Sequence, residues 1–342
     1  MKNNKINAAI IGAGRMGQIY YNLLKKFNTK IVGVLDNSNS VLKKFQLKNR
    51  IPSKCIFSNS NKLFKIKKLN LIIISTTTDQ HYFYIKKALD NNAKYILVEK
   101  PLCRSINEAK EVLKGLKNKK TRLLVNHNQK ETYEFNKIKK LAEKNNLGKL
   151  KSVTVVAGNM GLAMNGVHYL DTFQHFTGKL LDEVSAHFED VRLYNPRGKK
   201  FIDKSGIIIS KNRINQKIII NASAYQGHAR QVTFAYQTGI INFNLINGRL
   251  ELLFRKKKYI GKPTYLYSLP SINKNYKIKI SDLSYSISKN LKKLISSRDI
   301  SKELAVSANN VKILVASYVS NSSGGKKINI SKIQNNKKFP WA

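Results

Sequence analysis

Ile6-Asn7-Ala8-Ala9-Ile10-Ile11-Gly12-Ala13-Gly14-Arg15-Met16-Gly17 is the stretch that decides the fold. A mostly apolar run stops at a glycine and passes, through glycines 12, 14 and 17, into a stretch with helical spacing to about Phe27. Strand, tight turn and helix follow one another. The alternation then repeats. Ile31 to Leu35 reads as a strand ending in Asp36, residues 39 to 47 as a helix, and Ile56-Phe57 as a short extended segment. Leu71 to Ile74 is a strand ending in Ser75-Thr76-Thr77-Thr78, and residues 80 to 91 are helical. Tyr95 to Val98, a helix over 105 to 117 and Arg122 to Val125 complete the series. Strands that are apolar on both faces and alternate with helices predict a doubly wound parallel sheet in an α/β protein.

After residue 126 the pattern changes. Residues 131 to 146 are helical and end at Asn146-Leu147-Gly148, a plausible C-cap. Alternating β-type segments then dominate: Ser152 to Ala157, Val184 to Tyr194, Gly206 to Ser210, Lys217 to Ala222, Gln231 to Tyr236, Gly239 to Phe243 and Arg249 to Phe254. One helix interrupts them at 166 to 177, and two more follow at 280 to 295 and 301 to 319. Consecutive β runs joined by turns predict an antiparallel sheet. The expected division is residues 1–125 and residues 126–342, the latter an α+β unit with a large open, mostly antiparallel sheet.

The chain of 342 residues is 42% hydrophobic, enough for two cores. No run approaches the roughly 20 apolar residues of a membrane span. The apolar start is too short for a signal peptide and runs straight into the glycine turn, so a cytoplasmic protein is expected. Two cysteines, Cys55 and Cys103, make neither a disulfide framework nor a metal cluster, and no metal is expected. The net charge of +44 comes from 63 Lys+Arg against 19 Asp+Glu. These lysines are spread along the chain without an aromatic-interleaved basic stripe, so no specific nucleic-acid partner is expected. A positive field would still draw in an anionic substrate or cofactor.

Gly12-x-Gly14-x-x-Gly17 after a strand and before a helix is the context that makes a glycine motif informative. Gly12 permits the tight turn, Gly14 lets backbone approach a pyrophosphate, and Gly17 allows close helix–strand packing. A pyrophosphate would rest on the helix N-terminus. Asp36, at the end of the second strand, stands where a ribose-binding acid belongs. A carboxylate there repels a 2′-phosphate and argues for NAD; Asn37, Ser38, Lys43 and Lys44 leave NADP open.

A second motif, Glu99-Lys100-Pro101, follows the strand Tyr95 to Val98 and puts an amine where open α/β sheets bind ligands. A third is Met164-Asn165-Gly166-Val167-His168-Tyr169-Leu170-Asp171. Together with the glycine fingerprint, these resemble the Gfo/Idh/MocA family of nicotinamide-dependent oxidoreductases. The resemblance extends to His81 after Thr76 to Thr78, to Ala88-Leu89 and to Ser317 to Gly325. It implies a Rossmann domain followed by an α/β domain with an open sheet that forms dimer or tetramer contacts. It also implies activity on sugars, cyclitols or sugar nucleotides. The cofactor-binding set is then Gly12, Gly14, Arg15, Met16, Gly17, Asp36, Thr76, Thr77, His81, Glu99 and Lys100.

Matched residue by residue, Lys100 is the family's active-site lysine, which binds the hydroxyl being oxidised and stabilises developing alkoxide. His168 matches the histidine that takes the hydroxyl proton. The family's aspartate four residues earlier is Met164 here, and methionine can neither orient the histidine nor bind a hydroxyl. Asp171, three residues after His168 on the same helical face, and His175 are the substitutes the sequence offers; Asp171 joins Lys100 and His168 as the catalytic set. The Asn165-Gly166-x-His168-Tyr169 variant is similar to subgroups encoded with bacterial surface-polysaccharide enzymes. Asn126-His127-Asn128 could line the cleft, and His228 and Arg230 could contact an anionic sugar substituent. The alternative reading is a cofactor-binding regulatory or scaffold protein with a degraded active site, motivated by Met164.

Overall fold

The computed structural model describes residues 5–191, 195, 198–263, 271–297, 299–334 and 337–339. The first sheet holds β1 (Ile6–Ile11), β2 (Thr29–Leu35), β3 (Ile56–Phe57), β4 (Leu71–Ile74), β5 (Tyr95–Val98) and β6 (Arg122–Val125), with α1 (Arg15–Leu24), α2 (Asn39–Asn49), α3 (Ser60–Phe64), α4 (Thr78–Asp90) and α5 (Ile106–Leu116) between them. All its pairings are parallel, in the order β3-β2-β1-β4-β5-β6. Every residue of β4 and β5 is buried, as expected for strands covered on both faces. The strand order reverses between β1 and β4, and the crevice at their carboxyl ends is where such folds bind ligands.

The rest of the described chain builds a nine-stranded sheet beside α6 (Tyr133–Lys144), α7 (Val167–Thr177), α8 (Leu283–Ser296) and α9 (Ser301–Ser322). Its strands are β7 (Leu150–Ala157), β8 (Glu183–Phe188), β9 (Gly206–Lys211), β10 (Lys217–Ala222), β11 (Gln231–Tyr236), β12 (Gly239–Asn244), β13 (Arg249–Arg255), β14 (Ser271–Lys277) and β15 (Ile328–Asn329). Seven of the eight neighbouring pairs are antiparallel; β7 and β10 run parallel in register Ser152↔Lys217 to Ala157↔Ala222. Most of these strands alternate buried and accessible residues, so one face carries the core.

The strand expected over Val184 to Tyr194 ends at Phe188, and Arg192 to Tyr194 lie outside the described residues. β14 escapes a reading based on apolar alternation because Ser-Ile-Asn-Lys-Asn-Tyr-Lys is polar, and among the described strands it ends the sheet order beside β13. A further departure is α8. Its Ile287, Leu291 and Leu294 pack with Ile10, Leu97 and Leu124 under the first sheet, far back along the chain. A second apolar cluster runs without a break from Ile72, Ile96 and Val98 to Phe135, Tyr169 and Phe234. The change of pattern near residue 125 is therefore a change of sheet and not a break in the core.

Candidate active site

The glycine turn has the geometry its spacing predicts. Gly12 sits at φ +97°, and a Cβ there would meet the Ser75 carbonyl oxygen at 2.6 Å. A Cβ on Gly17 would lie 2.0 Å from the Gly12 carbonyl oxygen, so only glycine lets α1 approach this closely. Gly14 differs: nothing lies within 4 Å of a Cβ placed there, and the space above it is open. The first turn of α1 has no side-chain cap and no acidic residue, which leaves its N–H groups for an anion. Arg15 is exposed and Met16 half-buried on that turn. This open cradle fits a dinucleotide pyrophosphate. Gly14→Val is expected to leave the melting temperature within about a degree while abolishing NADH binding, checked by a melt and a fluorescence titration. A large loss of stability would contradict the open space.

Asp36 is half-buried, and its carboxylate accepts from Ala13 N at 2.8 Å and Ser38 N at 2.9 Å. It fastens the glycine turn to the end of β2, with lone pairs left for a ribose. Across the switch point, Ser75 Oγ donates to the carbonyls of Ile11 and Gly12 at 3.1 and 2.9 Å. Thr76 Oγ1 is buried with no hydrogen-bond partner among the described residues. Thr77 Oγ1 donates instead to Asp79 Oδ1 at 2.5 Å.

Two residues grouped with the cofactor set lie behind it. His81 is 1% exposed, with Nδ1 2.8 Å from the Pro101 carbonyl and Nε2 3.2 Å from the Thr76 carbonyl. It ties the loop after β4 to the loop after β5, and neither ring nitrogen is left for a ligand. Glu99 is likewise a strut. Its buried carboxylate accepts from the Tyr20 hydroxyl and from Asn126 Nδ2 at 2.9 Å, and Asn290 Nδ2 on α8 donates to Asn126 Oδ1 at 2.9 Å. Burial and the Glu99 charge hold the Tyr20 phenol well above its usual range, so it stays a donor.

Lys100, at the mouth of β5, donates through Nζ to the Met164 carbonyl. Met164 belongs to a single π-type turn, Leu162–Gly166, that feeds directly into α7 and its His168. The loop after β5 and the start of α7 thus meet at the crevice, through backbone at the position where the family has an aspartate. His168 Nδ1 is buried without a hydrogen-bond partner among the described residues, and the ring makes an edge-to-face contact with His127 at 5.9 Å between centroids. His127, just past β6, is itself buried, its Nδ1 without a partner among the described residues, and its Nε2 lies 3.5 Å from Asn310 Nδ2 on α9.

Asp171 does not take the role offered for it. It is fully buried and forms an ion pair with Lys130 Nζ at 2.7 Å, with Asn310 Nδ2 at 3.4 Å on its other oxygen. Three residues along α7, its carboxylate turns to Lys130 because a buried ammonium needs an anion more than a neutral imidazole does. His175 is exposed, as is His228, whose ring engages Ala229 and Gln226. Arg230 stands close enough for its charge to act on His168 and Tyr169. Lys130 leaves no sign in the sequence, because a lysine in a polar stretch looks like a solvated charge.

Burial first, then the Lys100 charge, electrostatic coupling to the His127 ring, and the Arg230 and Lys130 charges hold the His168 imidazole well below its usual range. His127 is depressed by burial, Lys130 and Lys100, and His81 chiefly by burial. All three rings are neutral at neutral pH, and His168 is therefore a proton acceptor. The folded state then binds fewer protons than the unfolded one below the unfolded value of about 6.5. Stability is complete above that pH and is lost as pH falls toward the folded values. The melting temperature is expected to drop by several degrees between pH 7 and pH 5. A flat profile over that interval would contradict it.

Comparison with known proteins agrees with this fold. Residues 6–127 match the model of the oxidoreductase family described as an NAD-binding Rossmann fold, Gfo/Idh/MocA. The uncharacterized oxidoreductase YrbE of Bacillus subtilis is 26% identical over 246 residues, 68% of this chain and 69% of YrbE. An Agrobacterium radiobacter oxidoreductase solved with NAD+, L-tartaric acid and magnesium superposes at TM-score 0.76 and 17% identity, over 96% of this chain and 99% of that one. Levoglucosan dehydrogenase, in complex with NADH and levoglucosan, superposes at TM-score 0.77 and 14% identity, over 96% of this chain and all (100%) of that one. At such identities the two solved structures share the fold. Among the described residues no helix is long and apolar enough to cross a membrane. Over residues 6–127, its NAD-binding Rossmann part, the chain is similar to the Gfo/Idh/MocA family of oxidoreductases.

Proposed function

We propose that this chain is an NAD-dependent dehydrogenase or reductase acting on a hydroxyl or keto carbon of a sugar, cyclitol or sugar nucleotide. The observation that carries the reading is the meeting of Lys100 with the turn that launches His168, at the carboxyl ends of β4 and β5. In the oxidative direction the Lys100 ammonium donates to the substrate oxygen and stabilises the charge that develops on it. The neutral His168 imidazole takes the hydroxyl proton. A nicotinamide bound over the crevice would take the hydride from the same carbon. Reduction runs the same transfers backward, with protonated His168 returning the proton. Asp36, half-exposed at the end of β2, favours NAD over NADP by repelling a 2′-phosphate.

The substrate class is supported by the resemblance of the Lys100 and His168 motifs and by the fold shared with levoglucosan dehydrogenase. A panel of sugars, sugar acids, cyclitols and sugar nucleotides with NAD+ and NADP+, read by the absorbance of the reduced cofactor, tests it. Turnover of at least one member with NAD+ is expected. Tight cofactor binding without turnover anywhere in the panel would favour the regulatory or scaffold reading that Met164 motivates.

A further inference from the structure

Where the family's aspartate is absent, another carboxylate reaches the same turn. Asp203 lies on the segment leading into β9, and its Oδ1 accepts from Ala163 N at 2.8 Å and its Oδ2 from Met164 N at 2.7 Å. The Met164 carbonyl in turn receives Lys100 Nζ. One peptide residue therefore separates the Asp203 carboxylate from the contact on the Lys100 ammonium. Gly161 makes the approach possible: it sits at φ +70°, and a Cβ there would lie 2.2 Å from Asp203 Oδ2. The Asp203 segment is anchored on both sides of the crevice. Lys200 Nζ pairs with Asp79 Oδ2 at 3.0 Å on α4, and Leu162 N donates to the Lys204 carbonyl at 3.1 Å.

We infer that Asp203 is a positioning residue that supplies, from a different strand connection, the carboxylate missing at Met164. It accepts the two N–H groups of the turn, fixes the Met164 carbonyl on Lys100, and by its negative charge keeps that amine protonated and aimed into the crevice. The inference builds on the reading of Lys100 as the amine that binds the substrate oxygen. Asparagine at 203 would keep the shape but lose the charge and one of the two acceptor oxygens.

Competitive acylation of lysines with acetic anhydride as a function of pH, quantified by peptide mass spectrometry, measures this without a substrate. Exposed Lys110 serves as the internal reference. In Asp203→Asn the pH midpoint of Lys100 acylation is expected to fall by at least about half a unit, a threefold rise in rate relative to Lys110 at a fixed pH below both midpoints. Gly161→Val, which displaces the carboxylate from the turn, is expected to shift Lys100 in the same direction. A merely structural role for Asp203 would lower the melting temperature without moving the Lys100 midpoint in the isosteric variant. An unchanged Lys100 midpoint in folded Asp203→Asn overturns the inference. If that variant does not fold, Gly161→Val decides by the same criterion. NADH binding and the loss of turnover in a Lys100 variant are separate measurements, so failure of the functional reading is distinguishable from failure of this one.

Discussion

Lys100→Met is expected to lower turnover by about a thousandfold while leaving NADH affinity within about threefold. The magnitude is that of removing a donor aimed at a developing oxyanion. The selectivity follows from position. The ammonium rests on the Met164 carbonyl at the mouth of β5, whereas the pyrophosphate cradle is formed by the glycine turn and the first turn of α1. Methionine keeps the apolar stem, so the loop around Glu99 and cis Pro101 retains its packing. A second signature comes with it. After burial, the Lys100 charge is the largest cause of the depressed His168 titration. Removing that charge should raise the His168 value back toward the usual range, visible as an upward shift of its ring resonance titration. Unchanged turnover would remove Lys100 from the chemistry, and an unchanged His168 titration would place the two groups further apart than the structure does.

Asp171→Ala is expected to cost about 3–5 kcal/mol, because it strands the Lys130 ammonium without its anion. The pair is buried on both sides, with side-chain exposures of 4% and 1% and a separation of 2.7 Å. For a chain of this size the melting temperature should fall by roughly 10 °C. Replacing both partners, as in Lys130→Met with Asp171→Leu, should recover much of the loss, since no unpaired charge remains. The pair Arg213–Asp182, whose arginine side chain is 89% exposed, is the control; breaking it should cost less than about 1 kcal/mol. A variant at Asp171 that keeps its stability yet loses turnover would return this residue to the catalytic set.

The Rossmann half was legible because its signals are local. β1, β4, β5 and β6 are short, largely apolar runs whose bounds lie within the run itself, and Gly12 and Gly17 have steric reasons visible in the structure while Gly14 leaves open space. The second sheet was legible as a set of strands but not as an order. Parallel pairing of β7 with β10 depends on contacts across 65 residues, which no spacing encodes. In the site, Lys100 and His168 sit on motifs, and the structure brings their elements together. The partners of charge were not legible. Lys130 finds Asp171 across 41 residues, and Asp203 finds the Met164 turn across 39. A carboxylate placed by tertiary contact leaves no periodic trace, so Asp171 looked like the better substitute for the missing aspartate until its anion was seen to be committed elsewhere.

A crystal structure of the chain with NADH tests the central claim most directly. The account predicts the pyrophosphate over Gly14 at the N-terminus of α1, with the nicotinamide C4 facing the space between Lys100 Nζ and the His168 ring. A nicotinamide seated away from Lys100 and His168, or a dinucleotide bound elsewhere than the glycine turn, would contradict it.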